Sequence, residues 1–153
     1  MTTASRGQIM SAVLGQLQAM VFPAPINGQT TWVSTSERLK LWGDVDPSLQ
    51  PAAFLVTHRE TDEYRGLGLK RRRLDLQVWC YSRTDDPSTM GQTDLDNMMQ
   101  SFENVFLPDE PGINQNTLGG LVYWCRLEGR VFKDPGDIDN QAMMIVPLVV
   151  EIP

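Results

Sequence analysis

The run from Gln141 to Ile152 constrains this chain more than any other segment. Ala142, Met144, Val146, Leu148, Val150 and Ile152 fall on one alternating face, and Met143, Ile145 and Val149 fall on the other. Strand side chains alternate with period two, so a strand here needs cover on both sides. Pro147 has no N–H to give to a ladder, which predicts an edge position unless the proline sits at a bulge. An apolar edge invites aggregation unless it is covered. The cover is either a helix of the same chain or a neighbouring subunit.

The preceding segments predict two helices and the rest of a sheet. Ile9, Val13, Leu17 and Met20 recur at helical spacing within residues 5–21, predicting an amphipathic helix stopped by Pro23 and Pro25. Asn27-Gly28 reads as a turn. Short strand-like stretches are expected around Trp32-Val33 and Leu39–Leu41, followed by an irregular connection from Gly43 to Pro51. Residues 53–64 and 70–82 predict two antiparallel strands joined through Gly66-Leu67-Gly68. Centring that hairpin on Leu67 sets Asp62 opposite Arg72 and Glu63 opposite Arg71. In the second strand Leu74, Leu76, Val78 and Cys80 alternate with Arg73, Asp75, Gln77 and Trp79, which marks one buried face.

Asp85 to Ser88 reads as a loop. A second helix is expected from a Thr93 cap to Leu107, with Leu95, Met98, Met99, Phe102, Val105 and Phe106 as its apolar stripe. Asp94 and Asp96 suit its positive start. Asp109 to Asn116 is a polar loop. A final hairpin pairs Leu121–Lys133 with Gln141–Ile152 around Asp134-Pro135-Gly136-Asp137, a type II turn pattern. The expectation is one domain over residues 1–153. Its class is α+β, a mainly antiparallel sheet of about four to five strands with two principal helices packed on it.

A chain of 153 residues buries roughly two thirds of its unfolded surface as one domain. Its net charge of −6 argues against nucleic-acid binding through bulk charge, which needs clustered Lys and Arg. The absence of any run of about 18 apolar residues predicts no membrane-spanning helix, and Met1–Gly15 lacks the pattern of a signal peptide, so synthesis and assembly are expected in a cytoplasm. Cys80 and Cys125 supply neither a disulfide framework nor a zinc quartet, and buried free thiols are expected.

No grouping of residues points firmly to chemistry. Asp134, Asp137 and Asp139 lack the ligand pattern of a calcium loop, and a solvated turn is expected. His58, the single histidine, has no nucleophile in a recognisable motif beside it; a pocket around it would favour a small enzyme. Gly66-Leu67-Gly68 and Gly119-Gly120 do not lead into helices, so neither is a phosphate loop. No cofactor and no catalytic residue is expected. The dense basic run Lys70-Arg71-Arg72-Arg73 reads in one of three ways: pairing with Glu60, Asp62 and Glu63, contact with DNA phosphates or an acidic partner, or contact with a neighbouring subunit.

The order of segments resembles the tail terminators of long-tailed phages, the tail-completion family. The resemblance is carried by Arg38-Leu39-Lys40-Leu41-Trp42, Gln50-Pro51-Ala52-Ala53-Phe54, Thr117-Leu118-Gly119-Gly120, Leu127-Glu128-Gly129 and Gln141-Ala142 through Pro147, together with the helix from Thr93. These stretches span most of residues 5–152, and none is a catalytic fingerprint. The resemblance implies a structural virion protein of the tail and neck, a homo-oligomer closing as a hexameric ring at the head-proximal end of the tail. Such a ring ends tube polymerisation and meets the tail tube protein on one side and a head-closure or connector protein on the other. Genomic DNA would pass through its lumen without specific binding, and Asp96 and Glu103 are candidates to face it. Another head–tail connector or head-closure adaptor is the alternative. The interface residues expected on these grounds are Glu60, Asp62, Glu63, Lys70, Arg71, Arg72, Arg73, Ile145 and Val149.

Overall fold

The computed structural model describes residues 4–67, 69–83, 90–108, 115–136 and 139–152. The expected loop at Asp85–Ser88 and most of the loop from Asp109 lie outside them. In chain order the elements are α1 (Arg6–Gln18), β1 (Ser34–Ser36), two 3-10 turns (Trp42–Asp44 and Pro47–Leu49), β2 (Ala52–Arg65), β3 (Leu69–Arg83), α2 (Gly91–Val105), β4 (Trp124–Leu127), β5 (Phe132–Asp134) and β6 (Gln141–Ile152). The fold is α+β: two helices pack on a mixed, mostly antiparallel sheet of six strands. The order is β1-β2-β3-β6-β4, and β5 pairs with β6 as well.

The run of residues 141–152 is not at an edge. β6 pairs with β3 from Arg83↔Gln141 to Arg72↔Ile152, and its other side is taken by β4 and β5. Pro147 is tolerated because the strand beyond it is broken. β4 ends at Leu127 opposite Leu148, and β5 begins at Phe132 opposite Ile145. Pro147 therefore faces an interruption, where no ladder donor is demanded of it. Gly129 lies in the break at φ 122°, and a Cβ there would come within 3.1 Å of the Pro147 ring. The final hairpin thus exists, but its first arm is two short strands.

One sheet face holds the main core. Ile9, Val13 and Leu17 of α1 and Leu95, Met98 and Phe102 of α2 pack on Leu55, Leu74, Leu76, Val78, Cys80, Met144, Val146, Leu148 and Val150. Ser5 caps α1 through a capping box: its hydroxyl accepts from Gln8 N at 3.1 Å, and Gln8 Oε1 accepts from Ser5 N at 2.8 Å. The helix ends at Gln18, before the prolines are reached. Phe22, Trp32, Phe102 and Phe106 then form an aromatic chain, with centroid separations of 5.0, 6.3 and 6.3 Å. It ties the segment after α1 to α2, and each such pair adds about 0.5–1.5 kcal/mol beyond area burial.

Trp32 is consequently a core side chain, and the strand starts later, at Ser34–Ser36. β1 lies parallel to β2, with Ser34 opposite Ala52. Leu39–Leu41 forms no strand. Residues 37–50 instead fold over the opposite sheet face, where Val45 is buried with Ala52, Phe54 and Tyr81. The apolar second face of β6 is partly covered by this segment, through Met143. Cys80 and Cys125 are buried free thiols on β3 and β4, with β6 between them. Burial pushes both thiols up, Cys125 to about 12.

The cap of α2 is Met90, and Thr93 is exposed within the helix. Its first residue lies close against another backbone segment: a Cβ on Gly91 would lie 1.9 Å from the Pro135 carbonyl oxygen. Gly91→Ala should therefore cost more than about 2 kcal/mol, since backbone must shift on one side or the other. Urea denaturation measures this, and an unchanged midpoint would mean the contact is absent. Asp94 is 4% exposed and accepts a hydrogen bond from the Ser82 hydroxyl at 3.1 Å. Burial pushes its carboxyl above the usual aspartate range, against the pull of that hydrogen bond. The folded chain then holds this proton more tightly than the unfolded chain does. The Asp94 contribution therefore improves as pH falls from the raised folded value through the ordinary one near ~4. Asp94→Asn should flatten that part of the pH–stability curve and retain stability at neutral pH, as urea midpoints taken across the window would show.

Candidate interaction surfaces

The β2–β3 hairpin forms in the expected register, with Asp62 opposite Arg72, Glu63 opposite Arg71, and Arg65 opposite Leu69 around a turn centred on Leu67. Period-two alternation then splits the basic run. Lys70 and Arg72 share the helix-side face with Glu60 and Asp62, whereas Arg71 and Arg73 lie on the other face with Glu63, Ile145 and Val149. The nine residues expected at an interface are thus divided between the two sides of the sheet.

On the helix side, Lys70 Nζ stands 2.9 Å from Asp62 and Arg72 Nε stands 4.0 Å from the same carboxylate. The Lys70 hydrogen bond holds Asp62 below the usual carboxylate range, so the group stays charged. Lys70 also lies 5.8 Å from the centre of the Tyr64 ring. Glu60 turns to α1 rather than to the basic strand: Arg6 Nε donates to it at 2.9 Å, which lowers its carboxyl pKa. On the other face, Arg71 pairs with Glu151 of β6 at 2.5 Å instead of with the opposed Glu63. Arg73 reaches Asp75 at 3.0 Å, and Arg59 reaches the same carboxylate at 3.5 Å. Pairing within the chain therefore accounts for much of the basic run.

Val149 is 1% exposed in the single chain, and Ile145 is half-buried. Val149 borders a groove of about 250 Å³ on this face, lined by His58, Arg59, Arg73, Asp75, Glu128 and Arg130 among others. Two backbone irregularities flank it. The β2–β3 register shifts between Thr57 and Arg59, placing His58 at a bulge, and the break between β4 and β5 lies on the far side. The groove is open and its two acids already carry guanidinium partners, Arg126 lying 3.1 Å from Glu128. The bulge at His58 was not legible in the sequence, since Thr57-His58-Arg59 carries no glycine or proline to mark it.

No protein-family model matches this sequence, and no curated protein matches it either. Among the described residues no three metal-ligating side chains are gathered, and Asp137 of the expected solvated turn lies outside them. Asp134 and Asp139 instead accept backbone hydrogen bonds from Gly136 and Gln141 at 3.0 and 3.1 Å. Among the described residues no helix is long and apolar enough to cross a membrane.

Two surface features stand apart from these internally satisfied charges. Among the described residues β6 pairs with β3 from Arg72 onward, and Leu69–Arg71 with the facing Glu63–Arg65 extend about 10 Å as a two-stranded end. That end carries Tyr64 and Leu67, 77% and 103% exposed. At the other end of β2, residues 41–49 present Leu41, Trp42 and Leu49 to solvent. Glu151 is the fixed point beneath the hairpin. Glu151→Ala should destabilise the fold by about 1 kcal/mol, a loss that shrinks at high salt, because the Arg71 pair is only partly buried. Thermal unfolding at two ionic strengths measures both effects, and a salt-independent loss would assign the effect to packing.

Proposed function

We infer that this chain is a structural virion subunit, a tail terminator that closes as a ring at the head-proximal end of a long phage tail. In that role it ends tube polymerisation and joins tail to head. The observation that carries the reading is the β2–β3 hairpin extending past the rest of the sheet with exposed apolar side chains at its end. A monomer gains little from such an extension, since a bare two-stranded end is marginal in water. A ring subunit needs an arm that reaches its neighbour. The second support is the resemblance of Arg38–Trp42, Gln50–Phe54, Thr117–Gly120, Leu127–Gly129 and Gln141–Pro147 to the tail-completion family. In the structure these five stretches form the segment over the second sheet face, the start of β2, the turn into β4, the end of β4 with the break after it, and the first half of the central strand β6. The net charge of −6 suits a ring through which DNA passes without adhering.

Electron microscopy of a lysate in which the gene is interrupted tests the reading directly. Overlong or unjoined tails beside filled heads are the expected result. Tails of normal length with leaking heads would move the subunit to the head side of the neck, and intact infectious particles would refute the assembly role. Arg72→Ala leaves Lys70 to hold Asp62, so the fold should keep its melting temperature. Complementation with this variant should yield at least about tenfold fewer joined particles if the hairpin is the reaching arm. Full complementation would remove Arg72 from the interface.

A further inference from the structure

The two exposed apolar features at opposite ends of β2 fit one another. Leu67 is fully exposed and sits at φ 58°, in the left-handed region that glycine or asparagine would occupy without strain. The fold draws no packing from that leucine, because its side chain touches solvent. A strained backbone with a large apolar side chain at a projecting tip is the signature of a contact residue. Tyr64, 77% exposed, is a second large side chain on the same hairpin end.

At the other end, Leu41, Trp42 and Leu49 are 58%, 48% and 46% exposed. They stand on a stiff base. Val45 between them is buried against Ala52, Phe54 and Tyr81. The Tyr81 hydroxyl donates to the Lys40 carbonyl at 2.9 Å, the Ser34 hydroxyl donates to the Leu49 carbonyl at 2.9 Å, and Gln50 Nε2 donates to the Val45 carbonyl at 3.3 Å. A segment fixed in this way is already organised to receive a partner, which lowers the ordering cost of binding.

The charges are complementary. At the hairpin end, Lys70 and Arg72 face Asp62 while Arg6 of α1 takes Glu60, so three cations meet two carboxylates on that face. Around the platform, Glu37, Asp44 and Asp46 outnumber Arg38 and Lys40. Hydrogen bonds from Ser48 hold Asp46 below the usual carboxylate range, so it stays charged.

A fourteen-residue strand separates the two features by about 45 Å. No chain can bring its own tip to its own platform. We propose that the Tyr64–Leu67 hairpin end of one copy docks on the Leu41–Trp42–Leu49 platform of the next, so that the chain associates head to tail. Such a contact is heterologous and produces a closed ring or an open filament according to its rotation angle. The inference deepens the ring reading above by naming both sides of the subunit contact.

Paired cysteines in the full purified chain test it, because Cys80 and Cys125 are buried and react poorly. With a short bismaleimide, the double variant G66C/G43C, which leaves Leu67 and Trp42 in place and puts each thiol beside them in open space, should give a ladder from dimer upward. An equal mixture of the two single variants should stop at dimers, and each single variant alone should give none. Dimers from G66C alone would show a tip-to-tip contact and overturn the proposal. A double variant that does not cross-link overturns it as well. If the wild-type chain then sediments as an oligomer, or lysate microscopy still shows overlong tails, the ring reading survives without this docking. Leu67→Asn supplies a second test that folding failure cannot mimic. It relieves the strained backbone, so thermal stability should hold or rise, while the association constant falls at least about tenfold. Undiminished association of that variant would exclude Leu67 as the anchor.

Discussion

The register between β3 and β6 is the constraint on which the remaining structure depends. Twelve residue pairs, from Arg72↔Ile152 to Arg83↔Gln141, lock two central strands so that Leu74, Leu76, Val78 and Cys80 share a face with Val150, Leu148, Val146 and Met144. A slip of one residue would turn every one of these side chains to the wrong side. Both helices pack on that face, so their positions follow from this register. The opposite face inherits the charged and aromatic set that residues 37–50 only partly cover. The break between β4 and β5 is what allows a proline inside so central a strand.

Much of this could be read from the residues in order. The alternation at Leu74–Cys80 and the position of Leu67 between two oppositely charged strands were enough to predict the β2–β3 pairing. The Ile9-Val13-Leu17 spacing likewise predicted the face of α1. Three features were hidden because a distant part of the chain decides them. Ser34–Ser36 has no strand pattern of its own and is a strand only because Ala52–Phe54 lies beside it. Thr93 is the better capping residue, yet the helix starts at Gly91, which lies against the distant Pro135 backbone. β6 reads as an edge because of Pro147, and only the glycine across the break shows why it is not one.

The surface was legible in composition and not in arrangement. Four consecutive basic residues suggest one patch, yet on a strand they point alternately to two faces and find different acids: Asp62 on one, Glu151 and Asp75 on the other. Val149 looked available for a partner, and the single chain already buries it. The exposed Leu41, Trp42 and Leu49 lie in a segment whose pattern suggested part of a strand and an irregular connection. Their placement depends on the Tyr81 hydroxyl and Val45 holding that segment against the sheet, which local pattern does not reveal.

The central place of β6 has a consequence in time. Ribosomes deliver β2, β3, α2, β4 and β5 before β6, yet β6 is the strand to which β3, β4 and β5 all bond. Until it arrives, the emerging chain has a hairpin and two helices but no closed core, because Met144, Val146, Leu148 and Val150 are still missing from it. Gly91 likewise has no Pro135 to press against until the turn before β6 has been made. A nascent chain therefore has a β2–β3 hairpin that lacks the strand backing it from Arg72 to Arg83. Vectorial synthesis thus delays closure of the sheet and its core until the chain has been made through β6.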